Sequence, residues 1–251
     1  MILPMKRRFS TKKDPNRMLI FGAPKTGKTT VLAHLEDCLI VDMEEGSDYV
    51  DAMVVKIDNL TQFKDLMKSL DDAKKANDGK VPYRFIALDT LTALEEMSLP
   101  LAKQLYMQTP MGTNFQGNDV RTLANGAGYL YTRAAFFKMV KPFEKYCDTL
   151  VMVGHVKEKD VTKEGDTFTE KSINLTGKTK DILCAWADSI GLIYREENKT
   201  IIDFAPSDKL IVGSRQKHLI GQKIVLAESD ENHNLTIDWD KVFIDNLDKK
   251  E

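Results

Sequence analysis

Gly22-Ala23-Pro24-Lys25-Thr26-Gly27-Lys28-Thr29 matches the phosphate-binding pattern G-x-x-x-x-G-K-[ST] at every fixed position. Met18 to Phe21 precedes it as a short apolar run, the form of a buried parallel strand. Val31, Leu32 and Leu35 follow on one side of a helix-compatible run. Strand, loop and helix in that order predict a cradle of backbone N–H groups and a helix N-terminus for an anion. Gly22 to Thr30 are therefore the expected nucleotide-binding residues. Lys28 is expected to neutralise β/γ-phosphate charge, and the Thr29 hydroxyl to enter the shell of a Mg²⁺ ion. The bland alternative is a chance glycine loop before a helix.

The rest of the chain is compatible with one sizeable α/β domain: 251 residues, 42% hydrophobic and 29% charged. A formal net charge of −2 carries no global nucleic-acid signature. The ends differ, however. Lys6, Arg7, Arg8, Lys12, Lys13 and Arg17 face only Asp14, which predicts a basic N-terminal arm over 1–16. Glu228, Asp230, Glu231, Asp238, Asp240, Asp245, Asp248 and Glu251 predict an acidic tail over 228–251, with Trp239 and Phe243 packing back on a core of 17–227. Cys38, Cys147 and Cys184 show no C-x-x-C spacing and read as reduced, structural thiols. No apolar leader or long apolar run is present, so the expectation is no membrane and a cytoplasmic location.

Along the chain, Cys38-Leu39-Ile40-Val41-Asp42, Met53 to Ile57, Phe85 to Thr90 and Leu150 to His155 read as strands. Phe63, Leu66, Met67 and Leu70 have helical spacing. Lys74 to Lys80 reads as a surface loop, and helix resumes after Thr90 to about Tyr106. Gln108 to Gly128 is polar and glycine-rich, too long for an idle loop. A helix through Tyr129, Arg133, Phe136, Phe137 and Val140 is expected to kink near Pro142. Val156 to Thr176 suits an exposed hairpin or flexible loop, and Ile182, Leu183 and Trp186 one helix. Ser189 to Arg195 and Thr200 to Phe204 form a further hairpin. The alternation predicts an α/β fold: a mostly parallel central sheet flanked by helices, with antiparallel strands at the C-terminal edge.

Asp89 closes an apolar run where a parallel strand would meet the loop, which suits a metal-shell acid. Glu44, just past the second strand, could polarise water near a γ-phosphate, with Glu45 and Asp42 as competitors. His155 ends its strand at the same edge, placed to sense the γ-phosphate; a structural histidine is the plain alternative.

The order of these pieces resembles the RecA-type recombination ATPase core. The resemblance rests on Gly22–Thr29, Val41-Asp42-Met43-Glu44, Ile86-Ala87-Leu88-Asp89-Thr90 and Met152-Val153-Gly154-His155. Together with Gly213-Ser214-Arg215 and Gly221-Gln222-Lys223-Ile224-Val225, it is most similar to phage-encoded RecA-like ATPases of single-strand annealing and recombination. The resemblance implies ATP and Mg²⁺ as cofactors, Glu44 as catalytic glutamate, Asp89 with Thr90 as the Walker B pair, and His155 as sensor. RecA itself carries an Asn-Gln pair at the position of Gly154-His155. It further implies single-stranded DNA held by the Gln108–Gly128 and Lys157–Thr176 loops. Arg121, Lys157, Lys159, Lys163 and Lys171 would touch phosphates and Phe115 would stack on a base. Glu158, Asp160, Glu164, Asp166 and Glu170 nearly cancel those lysines. A homo-oligomer is implied, with Arg215 or Lys217 completing the nucleotide site across a subunit boundary. A single-strand binding protein is a further implied partner, and host cytoplasm the location of a phage-encoded chain.

Other readings remain. A helicase-type motor would normally carry an extra hexamer-forming domain. A small-molecule phosphoryl transferase would want an arginine-rich lid, and Val156–Thr176 has no arginine. A nucleotide-dependent assembly switch needs no DNA-stimulated turnover. Asn198-Lys199 is not followed by the pattern of a guanine site, which favours ATP over GTP.

Overall fold

The computed structural model describes residues 5, 12–163, 166–232 and 234–245. The expectations placed on Lys6, Arg7, Arg8, Glu164, Asp248 and Glu251, and on the Lys163 and Asp166 side chains, lie outside what is described.

Strand residues alternate between two apolar faces, as a sheet covered on both sides requires. In β1 (Arg17–Gly22), Leu19 and Phe21 join one core while Met18 and Ile20 join the other. The same split divides β2 (Cys38–Asp42), β4 (Tyr83–Asp89) and the first half of β5 (Cys147–Lys163). With β3 (Met53–Lys56) and β7 (Ser189–Glu196), these strands form a parallel set ordered β7-β1-β5-β4-β2-β3. Beyond β7 the sheet turns antiparallel through β8 (Lys199–Asp203), β10 (Lys223–Ser229) and β11 (Leu235–Ile237). The short β9 (Gly213–Ser214) also pairs antiparallel with β7. The fold is therefore α/β, mostly parallel with an antiparallel C-terminal edge, as the alternation of runs predicts.

One face is covered by α2 (Leu60–Ala76), α3 (Leu91–Met97) and α5 (Gly128–Val140), through Phe63, Leu66, Leu70, Leu91, Leu94, Phe136 and Met139. α2 runs three residues into the polar stretch expected as loop, because Asn59 caps its start and Lys74 and Lys75 favour its C-terminal end. The other face takes α1 (Lys28–Leu32) together with Trp239, Val242 and Phe243. α1 is shorter than expected. His34 and Leu35 turn back on Val31 and Leu32 carbonyls, and Asp37 adopts a left-handed conformation at φ 54°.

The helix expected to reach Tyr106 is divided into α3 and α4 (Leu99–Met107) at Ser98, just before Pro100. After α5 the chain enters a 3₁₀ segment, Lys141–Lys145, at Pro142. β5 continues past the sheet and pairs antiparallel with β6 (Asp166–Ile173), so the described residues from Val156 to Ile173 take the hairpin form of the two expected for this stretch. α6 (Lys178–Trp186) leads from it to β7.

Candidate functional site

Register brings the site together. Gly22 of β1 lies beside His155 of β5, Asp42 of β2 beside Asp89 of β4, and Asp89 beside Val153. The carboxyl ends of four adjacent parallel strands thus open on one edge, the place where α/β sheets bind ligands.

Around that edge, Lys25 and Gly27 take positive φ (62° and 87°), so the loop folds over its own backbone. Lys28 Nζ donates to the carbonyls of Ala23 at 2.7 Å and Gly22 at 3.3 Å, and Thr26 Oγ1 donates to Ala23. Burial lowers the Lys28 ammonium from its ordinary value, opposed by the nearby Asp89 and Glu44 carboxylates. Thr29 Oγ1 donates to Asp89 Oδ2 at 2.6 Å. Burial raises the Asp89 carboxyl, against the Thr29 hydrogen bond and Lys28. A hydroxyl and a carboxylate are hard oxygen donors, and this pair fits a divalent cation shared with phosphate oxygens. Among the described residues no group of three or more His, Cys, Asp or Glu could hold a metal ion.

Glu44 stands opposite the loop and is positioned from three sides. Asp42 accepts hydrogen bonds from the backbone N–H of Glu44, Gly46 and Ser47 and from the Ser47 hydroxyl, which folds residues 42–47 into a tight turn. Thr90 Oγ1 donates to Glu44 Oε1 at 2.5 Å. His155 Nε2 lies 3.0 Å from Glu44 Oε2; a carboxylate only accepts, so the imidazole proton belongs on Nε2. Nδ1 is buried and without a hydrogen-bond partner among the described residues. The Asp89–Thr90 peptide is cis. Of the two competitors of Glu44, Asp42 is occupied by its own turn. Glu45, at φ 58°, makes none of these contacts among the described residues.

Arg215 is not brought to the loop. It donates to Asp188 Oδ1 at 3.0 Å and to the Ala185 carbonyl, while Arg17 grips the same Asp188 through Nε and Nη2. Asp188 immediately precedes the residue that pairs with Met18, so Arg215 sits at the opposite end of β1 from the phosphate loop.

The two segments assigned to DNA differ from expectation in detail. Gln108–Gly128 contains two 3₁₀ turns and a fully buried Val120. Its Arg121 pairs with Glu96 at 2.6 Å and Asp119 at 2.7 Å, and those carboxylates raise its pKa further. It is thus neutralised within the chain rather than offered to phosphate. Phe115 is half-buried and packs in a T-shaped pair with Tyr106, with centroids 5.3 Å apart. On the hairpin, Lys171 pairs with Glu158 at 3.0 Å, and Lys157 and Lys159 are exposed. Cys38, Cys147 and Cys184 are free; burial pushes the first two thiols up to about 12 and the third to about 11, which makes them inert.

Sequence reasoning missed Ser47, Gly46, Thr92, Glu95, Thr176 and Asp188. Only Ser47 had a local signal, an Asp-initiated turn five residues on; the others act across long stretches of chain.

A family described as AAA domain matches residues 14–216. No curated protein matches the chain in sequence. Among solved structures, the crystal structure of the RadB recombinase aligns over 88% of this chain and 90% of that chain, with a TM-score of 0.46 and 10% identity. No helix among the described residues is long and apolar enough to cross a membrane.

Proposed function

The chain belongs to the AAA domain family, which makes it a P-loop ATPase at family level, and on that premise we propose a RecA-like ATPase acting on single-stranded DNA in recombination, annealing or repair. One observation carries the reading. The Glu44 carboxylate is held by Thr90 and His155 beside the Lys28–Thr29–Asp89 cluster, where an attacking water needs orientation. ATP would bind along Gly22 to Thr30, with loop N–H groups and Lys28 on its phosphates. Mg²⁺, held from the protein side by Thr29 and Asp89, would supply charge neutralisation on the phosphate oxygens.

The chain's own residues do the remaining work. Glu44 accepts a proton from water, His155 and Thr90 hold its carboxylate in line, and Lys28 compensates the charge that develops. Release of the γ-phosphate removes the load on this edge, and β5 carries that change without interruption from His155 into the hairpin.

Exposed Lys157 and Lys159 on the hairpin would contact the DNA backbone irrespective of sequence. A homo-oligomer suits Arg215 and Lys217, since from the far end of the sheet they reach only a neighbour's nucleotide. The phage setting and a single-strand binding partner remain part of the proposal through the sequence resemblance alone.

Steady-state ATP turnover with and without a single-stranded oligonucleotide tests this reading. Severalfold stimulation, with DNA binding that weakens as salt rises, supports it. Turnover indifferent to DNA, with no salt-dependent binding in the presence of ATP, overturns it and leaves a nucleotide-dependent assembly switch.

A further inference from the structure

Glu95 is buried at 4% exposure and takes no part in the chemistry above. Its two carboxylate oxygens each lie 3.1 Å from the Thr176 backbone N–H, and the Thr176 hydroxyl donates to one of them at 2.9 Å. It makes no salt bridge among the described residues; Arg121, whose charge acts on it from a distance, is committed to Glu96 and Asp119. Burial raises its carboxyl, against the Thr176 hydrogen bonds. A buried carboxylate without a cation is a poor way to add stability, and an apolar side chain would fill the space with less desolvation. What Glu95 does supply is a fixed link between α3 and the exit of the β5–β6 hairpin.

Both linked elements lead back to Glu44. On one side, Thr90 caps α3 through the Ala93 N–H and donates to Glu44. On the other, Thr92 Oγ1 donates to the Asn174 carbonyl, Asn174 N–H donates to the His155 carbonyl, and the His155 ring meets Glu44. The contacts close into a ring: Glu44, Thr90, α3, Glu95, Thr176, Asn174, His155 and Glu44 again. Arrangements of this kind, packed and hydrogen-bonded throughout, transmit displacement because no member can move alone.

We propose that Glu95 is a positioning residue: by clamping Thr176 to α3, it makes the Glu44 carboxylate and the β5–β6 hairpin shift as one unit. Nucleotide at the loop then sets the hairpin, and a polyanion on the hairpin sets Glu44. The clamp rests on the ring of contacts, while the identity of the polyanion rests on the function proposed above.

Three variants of the full chain test it: Glu95→Gln, which opposes an amide NH₂ to the Thr176 N–H; Thr176→Val, which removes only the hydroxyl bond; and Thr176→Ser, which restores it. Hydrogen exchange of β6 amides is followed with and without a non-hydrolysable ATP analogue, using β1 and β4 amides as the internal check of folding. The wild type is expected to change β6 protection on binding the analogue, and Glu95→Gln to lose that response while analogue affinity stays within about twofold. Thr176→Val should fall between the two and Thr176→Ser match the wild type. In turnover, Glu95→Gln should lower DNA-stimulated kcat by about fivefold or more with KM for ATP unchanged.

A folded Glu95→Gln or Thr176→Val protein that keeps the full β6 response overturns the clamp, as does a wild type with no β6 response. The exchange response lost in Glu95→Gln, in a protein whose turnover ignores DNA, would support the clamp and overturn the DNA-dependent function instead.

Discussion

Asp42 decides where Glu44 stands, and it does so as an anion. Burial alone would raise its carboxyl, but hydrogen bonds from Ser47, Glu44 and Gly46 outweigh burial and hold it below the ordinary 3.8. The unfolded chain therefore binds this proton more readily than the folded one. The stabilisation is complete above pH ~3.8 and is lost as pH falls through the lower folded value. Asp89 and Glu95, raised by burial, run the other way and shed a penalty on protonation. Asp42→Asn isolates the first contribution. Urea midpoints should show a larger loss for this variant at pH 7 than at pH 3; an equal loss at both pH values would contradict the assignment. At this scale the site was largely legible in the sequence. Gly22–Thr29 is a contiguous pattern, and Asp89, Glu44 and His155 each follow an apolar run, so strand ends alone bring them to one edge. Glu95 with Thr176, and Asp188 with Arg17 and Arg215, were not legible, because a buried carboxylate takes its partner from a distant segment and leaves no local spacing.

Elements were legible where burial imposes a period. The strands β1, β2, β4 and β7 are found where short apolar runs put them, as is α2 apart from its last turn. Gln108–Gly128 was not legible as structure. Gly126 takes a positive φ of 69°, while Gly128 serves close approach: a Cβ on it would come within 1.6 Å of the Val120 carbonyl oxygen. Gly128→Ala must push the 3₁₀ turn at Val120–Thr122 off the start of α5. A loss of about 1–3 kcal/mol is expected from such overpacking, measured by chemical denaturation. A variant as stable as the wild type would mean that this turn is not packed as described. The hairpin offers a complementary test. Replacing residues 158–171 by a two-residue turn removes exposed strand outside the parallel sheet, so nucleotide binding should survive while DNA stimulation disappears. Loss of nucleotide binding, measured by titration with a fluorescent ATP analogue, would mean the hairpin supports the loop itself.

Segments near both ends of the described chain are tied into the fold, at the start of β1 and behind α1. Thr149 donates to the Pro15 carbonyl, and Asp14 accepts from Ile244 and Asp245 N–H. Trp239, 7% exposed, donates from Nε1 to the Val31 carbonyl at 2.8 Å, behind the short helix that carries Lys28 and Thr29. Phe243 stacks at a tilt on Phe85, 4.7 Å between centroids. Trp239 and Phe243 pack back on the core as expected of this acidic stretch, and Trp239 does so directly behind α1. Trp239→Ala should therefore cost about 3–5 kcal/mol of stability and weaken nucleotide binding together. A loss of stability with nucleotide affinity intact at temperatures where the variant is folded would separate the two.

Glu44 acts on water rather than holding the nucleotide in the proposed chemistry. The direct measurement is paired equilibrium binding and single-turnover hydrolysis of ATP by the wild type and Glu44→Gln, both with Mg²⁺ and single-stranded DNA. Binding within a few-fold of the wild type, with hydrolysis reduced by about 10²-fold or more, is the predicted result. Hydrolysis retained in Glu44→Gln, or binding lost with it, would contradict that role for Glu44.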